Sequence, residues 1–405
     1  MFTTAKRLAA VGLAGILACG LAACGGGSAS ESDGSTIKIG FVGSLTGPLA
    51  PSGKVSLAGL QAGAKYVEEH YPGSNVEILQ RDTKGEPTAA VAATRALAQE
   101  DVTALYYTTE AFAPVQDVLN QVEVPASTAG GIGPIIGDVG DSKRYKYAFS
   151  TGAGTSGETS VVPLLDYAAT AGTRVAMLDD SSAFNTSQAE LTATIAADQY
   201  PQLELTRQSF PSTASDVTAQ LNKLRDSGSP SIIVWAYGSP LVAVMSSLNK
   251  IGWSPHMSGV LGMGDPATAA LIPAEMKDTV AAGPMAKTFV SSQVGAAPSG
   301  ITAEFVKNFL EVQDKTEFNA LDTVGAISFD WVLLVHEAAS KAGSGDPNTV
   351  KERLVSGDSY EGANGTYTFG PDQRIGIGAD QLATFLPAQP CTNGTCVSAT
   401  VPTTS

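Results

Sequence analysis

Residues 102–131, VTALYYTTEAFAPVQDVLNQVEVPASTAGG, constrain the fold most, because strand and helix patterns alternate within this short stretch. Val102–Tyr107 is rich in β-branched and aromatic residues, which predicts a strand. From Phe112 to Leu119 the apolar residues recur at helical spacing. A second short apolar run, Val122–Pro125, predicts another strand and opens into the polar, glycine-containing stretch 127–131. In a parallel sheet both loops lie at the carboxyl ends of their strands, where open α/β folds bind ligands.

The same alternation continues along most of the chain. Further strands are predicted at Ile37–Val42, Val76–Gln80, Tyr145–Ser150, Arg174–Leu178, Leu203–Gln208, Ser231–Tyr237, His256–Val260, Val280–Pro284 and Gln381–Leu386. Helices are predicted between them, among others at 184–199, 215–227 with Ser215 as N-cap, 239–251, 301–315 and 321–342. A hairpin is predicted at Asn364–Arg374. Successive strand–helix pairs predict an α/β fold with parallel, doubly wound sheets, and 405 residues suffice for two such lobes in tandem.

The first 23 residues form a targeting segment and are excluded from the fold. Lys6 and Arg7 precede an apolar run that is too short to span a membrane comfortably. The run ends in Leu21-Ala22-Ala23-Cys24, which resembles the lipobox of bacterial lipoproteins and implies cleavage before Cys24 and lipid on that cysteine. An uncleaved anchor and an ordinary signal peptide are the alternatives. Residues 24–36 are rich in Ser, Gly and acids, which predicts a flexible tether.

The charge of the chain limits its partners. Removal of residues 1–23 takes away two basic residues and no acid, so the formal net charge falls from −15 to −17. Such an acidic chain argues against a nucleic-acid partner and offers no basic patch for anionic lipid. We therefore expect a small-molecule ligand and a membrane contact made only through the lipid on Cys24.

Two cysteines remain besides the anchor, Cys391 and Cys396 in CTNGTC. An exported chain favours a disulfide between them, and the entropic model assigns such a small loop roughly 2 kcal/mol. No metal site is predicted, because the two thiols lack further ligands and the three histidines are scattered.

One motif is typical of a nucleotide cofactor, yet we predict no cofactor. Gly152-x-Gly154-x-x-Gly157 lies between a strand and a helix, as a dinucleotide fingerprint does. The match is weak in a chain with 43 glycines, and the acid that should follow it stands too far away. A mobile crossover between two lobes is a better use of this loop. Neither a nucleophile elbow nor a catalytic triad is found, so we predict no enzymatic activity.

Several predicted strands end in small polar or aromatic residues instead. These are Ser44, Ser52, Thr108, Thr109, Thr128, Gly130, Phe184, Trp235 and Tyr237. Hydroxyls and backbone N–H groups hold an oxygen-bearing head group without chemistry, and aromatic side chains close over an apolar tail. Singly each residue has an ordinary structural use; together they indicate a ligand cleft.

The chain resembles the type I periplasmic solute-binding proteins of ABC importers, in particular the branched-chain amino-acid-binding group. The resemblance rests on IKIGFVGSLTG, LAGLQAGAKYVEE, RDTKGEPTAAVAATRALAQEDV, VPASTAGG, VAMLDDSSAFN, DVTAQLNKLRDSGSPSIIVWAYGSP, AISFDWVLLVHEAASKAG and YTFGPDQR, and covers about residues 37–386. It implies two lobes, 37–151 plus 286–358 and 152–285 plus 359–405, of which the second carries the disulfide tail. It also implies three crossovers, near Thr151–Gly154, Gly283–Ala286 and Ser359–Ala363.

The resemblance further implies a set of ligand-binding residues. They are Ser52, Thr108, Thr109, Thr128, Ala129, Gly130, Phe184 and Tyr237. The acid that pairs with the amino group of the ligand in this family falls on Leu261, and only Glu110 or Asp265 offers a replacement. This departure predicts weak binding of leucine, isoleucine and valine, and leaves an amide, a carboxylate or an aromatic acid open as the ligand.

Together these features predict an extracytoplasmic lipoprotein, anchored through Cys24, that delivers a small solute to the permease of an ABC transporter. The alternatives are a ligand sensor for a membrane receptor and an enzyme that uses the glycine loop with a nucleotide cofactor.

Overall fold

Two β-sheets form the framework of the computed structural model, which describes residues 36–47, 49–128, 146–155 and 157–399. The strands are β1 (Thr36–Gly43), β2 (Asn75–Asp82), β3 (Ala104–Tyr107), β4 (Ala126–Thr128), β5 (Arg174–Asp180), β6 (Glu204–Phe210), β7 (Ser231–Trp235), β8 (His256–Gly259), β9 (Val280–Ala286), β10 (Val290–Ser291), β11 (Ser359–Gly362), β12 (Gly365–Thr368), β13 (Leu382–Phe385) and β14 (Cys396–Val397). The first sheet is parallel throughout, in the order β2-β1-β3-β4. The second has the order β13-β9-β8-β7-β5-β6, with only its edge strand β13 antiparallel.

Helices connect the strands and cover both sheets. They are α1 (Ala50–His70), α2 (Pro87–Ala98), α3 (Thr109–Phe112), α4 (Gln116–Val122), α5 (Glu158–Ala169), α6 (Ala183–Gln199), α7 (Thr218–Asp226), α8 (Ser239–Ile251), α9 (Pro266–Ala269), α10 (Gly300–Gln313), α11 (Val324–Ala342) and α12 (Pro347–Leu354). Among the described residues, none of these helices combines the length and the apolar character that a membrane span requires. The prediction of an α/β fold with two parallel-sheet lobes is confirmed.

Local chemistry explains where two elements depart from their predicted bounds. The strand expected at Val122–Pro125 begins only at Ala126, because Val122 still belongs to α4 and Glu123 turns the chain with a φ of 56°. Helix α7 begins at Thr218 and Ser215 does not cap it. Asp216 Oδ1 accepts the Thr218 N–H instead, at 2.8 Å.

Helix α11 returns the chain to the first lobe after β9. It packs along α1 so closely that a Cβ at Gly59 would lie 2.0 Å from the Gly325 oxygen. The Ser328 hydroxyl donates to the Ser56 oxygen at 2.8 Å across the same contact. Nearly the whole circumference of α11 is buried, as expected for a helix enclosed between a sheet and other helices.

Two of the three expected crossovers meet where the lobes join. Gly154 has a φ of +76°, and a Cβ there would lie 2.8 Å from both Cβ and the oxygen of Pro284. Glycine is therefore required for this contact between the crossover at Thr151–Gly154 and the one at Gly283–Ala286. The Thr151 N–H donates to Ser127 Oγ at 3.1 Å and ties the first crossover to β4.

The third passage lies later in the chain than predicted. Ser359–Ala363, expected to cross between the lobes, forms β11 and the turn of a hairpin whose second strand is β12. The hairpin predicted at Asn364–Arg374 is thus displaced towards the N-terminus. It packs on α11, where the buried Asp330 carboxylate accepts hydrogen bonds from the Asn364 N–H at 3.0 Å and the Tyr367 hydroxyl at 2.8 Å. The chain then pairs with Ser150 through Ile375 before β13 joins the second sheet.

Candidate functional site

The carboxyl ends of three neighbouring strands in the first lobe carry a connected polar network. Ser44 follows β1, Thr83 follows β2 and Thr108 follows β3, and all three are buried. The hydroxyls of Ser44 and Thr108 both donate to Glu110 Oε1, at 2.8 and 2.7 Å. Ser44 Oγ also lies 3.3 Å from Thr83 Oγ1. Three segments distant in sequence therefore converge on one half-buried carboxylate.

A second carboxylate shapes the loop beside this network. Asp82, the last residue of β2, accepts the Leu45 N–H at 2.9 Å, the Thr46 hydroxyl at 2.7 Å and the Lys84 N–H at 2.9 Å. The bond from Thr46, with help from the two backbone donors, lowers the pKa of Asp82 to about 2. The loop after β1 is thus pinned by the end of the neighbouring strand.

The other predicted residues of the first lobe occupy different positions around this edge. Thr109 is the half-buried first residue of α3. Thr128 is the buried last residue of β4 and is in register with Tyr107 of β3. Ser52 is exposed in the first turn of α1. Ala129 and Gly130, the predicted backbone donors, lie outside the described residues.

The second lobe contributes an aromatic pair. The ring centroids of Phe184, at the start of α6, and Tyr237, just after β7, lie 5.8 Å apart. Tyr237 is 42% exposed, yet desolvation by the surrounding protein raises its pKa well above the usual range. A side chain that is open to solvent while crowded by protein lines a concave surface.

The lobe junction lies next to this pair. A Cβ at Gly262 would lie 3.3 Å from Tyr237 Cδ1, and a Cβ at Gly264 would lie 2.8 Å from the Ala320 Cβ. Gly262 and Gly264 belong to the 3-10 turn that follows β8, whereas Ala320 leads into α11 of the first lobe. Tyr237 is therefore separated from a first-lobe segment only by this short turn.

Trp235 was predicted to cover the ligand, and this prediction was wrong. It is the last residue of β7, is 2% exposed and donates its indole N–H to Thr192 Oγ1 of α6 at 3.0 Å. Its side chain belongs to the packing between the sheet and α6. Among the three aromatic residues predicted for this wall, only Phe184 and Tyr237 retain accessible surface.

The two residues considered for an amino group in the second lobe have other surroundings. Leu261 is half-buried at the start of the 3-10 turn, so no carboxylate stands at the position where the resemblance expects one. Asp265 caps α9: its Oδ2 accepts the Thr268 N–H at 3.1 Å and the Thr268 hydroxyl at 3.2 Å. Glu110 is thus the predicted acid whose carboxylate belongs to the strand-end network.

Comparison with known proteins places this arrangement in a family. The sequence matches the family model described as periplasmic binding protein over residues 36–383. The chain belongs to the periplasmic binding protein family. No curated protein matches the sequence.

Solved structures of periplasmic binding proteins share the fold at low sequence identity. An extracellular ligand-binding receptor from Rhodopseudomonas palustris HaA2 is 18% identical with a TM-score of 0.69, covering 90% of this chain and 99% of that one. The substrate-binding protein LivJ from Streptococcus pneumoniae, in complex with isoleucine, is 20% identical with a TM-score of 0.65, covering 89% and 98%. A solute-binding protein from R. palustris BisB5, in complex with 3,4-dihydroxybenzoic acid, is 18% identical with a TM-score of 0.64, covering 87% and 93%.

This family consists of non-catalytic solute-binding proteins of ABC transporters, so the prediction that the chain is not an enzyme is confirmed. The glycine motif has a structural use in the binding protein. Gly154 packs on Pro284 at the lobe junction, and Gly157 precedes α5 with a φ of +51°. The acids after β5 are also engaged: Arg207 donates to both Asp179 oxygens, and Asp180 accepts the Ser182 N–H before α6.

The C-terminal tail of the binding protein carries the two remaining cysteines. Cys391 and Cys396 are joined by a disulfide, and β14 pairs with β10. A cavity of about 820 Å³ separates the tail from α10 and contains none of the predicted ligand-binding residues. Ligands of open α/β sheets bind at the carboxyl ends of strands, so we assign the solute to the strand-end site rather than to this cavity.

Proposed function

We propose that this periplasmic binding protein captures a small solute between its two lobes and delivers it to the permease of an ABC importer. The observation that carries the proposal is the pairing of unlike walls. The first lobe has the hydroxyl and carboxylate network at its strand ends, and the second has the accessible aromatic pair Phe184 and Tyr237 beside the lobe junction. A polar wall fixes the head group of a small ligand, and an aromatic wall covers its apolar part.

The proposed mechanism is lobe closure. We assign residues 37–151 plus 286–358 to the first lobe and 152–285 to the second, with the chain passing finally to the second lobe before β13. The solute binds one lobe first, and contacts with the other lobe then shift the balance from the open to the closed form. The permease recognises the closed form, and the lipid on Cys24 holds the protein at the membrane.

The proposed head-group site comprises Thr109, Thr128 and the backbone at Ala129 and Gly130, with Thr108, Glu110 and Ser52 nearby. Relatives with this fold have been solved with isoleucine and with dihydroxybenzoic acid. Both ligands combine a polar head group with an apolar body, which is the class that the two walls suit. We therefore propose an amino acid, an amide or a small aromatic or aliphatic carboxylate as the solute.

A thermal-shift screen of the purified protein tests this function. The panel contains the twenty amino acids, their amides, hydroxybenzoates, short carboxylates and, as a contrasting class, sugars. A solute present at about 100 times its Kd should stabilise the folded state by about 2.7 kcal/mol and raise the Tm measurably. Stabilisation by sugars alone, or by no member of the panel, would contradict the proposal.

A further inference from the structure

The hydroxyl protons in the strand-end network have defined directions. The Ser44 hydroxyl uses its single proton in the bond to Glu110 Oε1, so its contact with Thr83 is one in which Thr83 donates. Thr83 Oγ1 in turn accepts the Gly85 N–H at 3.4 Å. Thr108 directs its own proton to the same Oε1. The hydroxyl dipoles of this edge therefore converge on one oxygen of Glu110.

This arrangement fixes the orientation of the carboxylate and leaves its second oxygen without a donor in the described part of the chain. The partners of Glu110 there are hydroxyls, and none is a cation. An ionised carboxylate accepts at both oxygens and needs donors to replace water once a cleft closes over it. Glu110 is half-buried already in this structure.

The remainder of the protein favours a cation at this position. The chain carries a formal net charge of −15, and the neighbouring Asp82 is a further carboxylate at the same sheet edge. Such a field attracts cationic solutes and disfavours simple anions. The second lobe has Leu261 where the family places its acid, so the partner for a cation has to come from the first lobe.

We propose that Glu110 Oε2 binds a positively charged nitrogen of the solute, which makes the ligand an amino acid or a related small amine rather than a simple carboxylic acid. This inference rests on the proposed solute-binding function and narrows its ligand class. It places recognition of the nitrogen on the first lobe, while Phe184 and Tyr237 of the second lobe cover the apolar part. Hydroxybenzoates lack such a nitrogen and are excluded as preferred ligands.

Matched probe pairs test the proposal by calorimetry on the wild-type protein. Each pair consists of an L-amino acid and its deaminated acid, such as phenylalanine with 3-phenylpropanoate and leucine with 4-methylpentanoate; alkylamines and 4-hydroxybenzoate complete the set. The best amine-bearing probe should bind at least about 10-fold to 100-fold more tightly than its deaminated partner, since a charge-assisted hydrogen bond is lost. This comparison requires no variant and does not depend on the folding of one.

Glu110→Gln then locates the effect. Its amide oxygen still accepts from Ser44 and Thr108, whereas the NH₂ group replaces the free acceptor and removes the charge. The amine-bearing probe should lose about 10-fold to 100-fold in affinity, and the deaminated partner should bind unchanged or better. Glu68→Gln, an exposed position on α1, removes the same charge outside the site and should change neither affinity.

The outcomes separate this inference from the proposed function. A carboxylate-only probe that binds at least as tightly as every amine-bearing probe, and that Tyr237→Ala weakens, would overturn the inference and leave solute binding standing. An amine-bearing probe whose affinity survives Glu110→Gln would overturn it as well. Failure of every amine-bearing probe to bind the wild type also contradicts the inference.

Discussion

Asp330 should be the most damaging charged residue to remove, because its carboxylate holds the β11–β12 hairpin against α11. Four donors converge on it: the backbone N–H groups of Ala363 and Asn364, the Asn364 side-chain amide and the Tyr367 hydroxyl. The carboxylate is fully buried and has no cationic partner among the described residues. We predict that Asp330→Ala destabilises the protein strongly.

The magnitude follows from which donors find new partners. The Tyr367 hydroxyl lies 3.2 Å from the Thr151 oxygen and can redirect its proton, and the Asn364 side chain can rotate. The two backbone N–H groups cannot move, and a buried donor without a partner costs about 1–3 kcal/mol. Part of this loss is offset because a buried charge disappears. We expect Asp330→Ala to lower the free energy of unfolding by about 3–5 kcal/mol.

The pH dependence gives an independent signature. Burial raises the pKa of Asp330 from 3.8 to about 6, although its hydrogen bonds act in the opposite direction. The folded state therefore binds the proton more tightly than the unfolded state, so this group stabilises most below pH 4 and loses that contribution as the pH rises to about 6. The difference in pKa corresponds to about 3 kcal/mol. Asp330→Asn, which cannot titrate, should lack this part of the pH dependence.

Urea denaturation between pH 4 and pH 7 measures both effects. Glu337→Ala is the matched control on the same helix, because Glu337 forms a surface ion pair with Lys341 at 2.7 Å. That variant should change stability by less than about 1 kcal/mol. An Asp330→Ala variant as stable as the control, or an Asp330→Asn variant with the pH profile of the wild type, would refute the reasoning.

Two further predictions concern the ends of the chain. Replacing both Cys391 and Cys396 by Ser should lower the free energy of unfolding by roughly 2 kcal/mol and leave solute affinity unchanged, as measured by urea denaturation and calorimetry; an unchanged urea midpoint would contradict it. Cys24→Ala should abolish metabolic labelling with a fatty acid and release the protein from the membrane fraction, whereas persistent labelling would show that Cys24 is not the lipidated residue.

Much of the fold was readable from the sequence because each strand is a short apolar run between turn residues and each helix has its own apolar stripe. Most of the predicted strands, such as Arg174–Leu178, match structural ones within two or three residues. The errors arose where a local hydrogen bond or a positive φ overrode the pattern, as at Asp216 and Glu123. Asp330 was overlooked, although an acid within the apolar run ISFDWVLLV was a signal for a buried polar contact.

The site was readable only in part. The strand-end rule placed Thr108, Thr128 and Tyr237 at the correct edges of the sheets, because it depends on strand order alone. It failed for Trp235 because every residue of Ser231–Trp235 is buried, so no alternation revealed which way the indole points. The bond from Ser44 to Glu110 spans 66 residues, and sequence spacing carries no information about such a contact.

Calorimetry on variants from both lobes tests the central claim, that one solute is held between two walls. The solute that stabilises the wild type most is titrated into the Thr109→Val/Thr128→Val double variant and into Tyr237→Ala, with Thr194→Val on the exposed surface of α6 as control. Each lost hydrogen bond is worth about 1 kcal/mol, so the double variant should bind at least about 10-fold more weakly. Tyr237→Ala should also weaken binding, and the control should not. Full affinity in the double variant or in Tyr237→Ala would contradict the account, because the solute would then bind outside the cleft between the lobes.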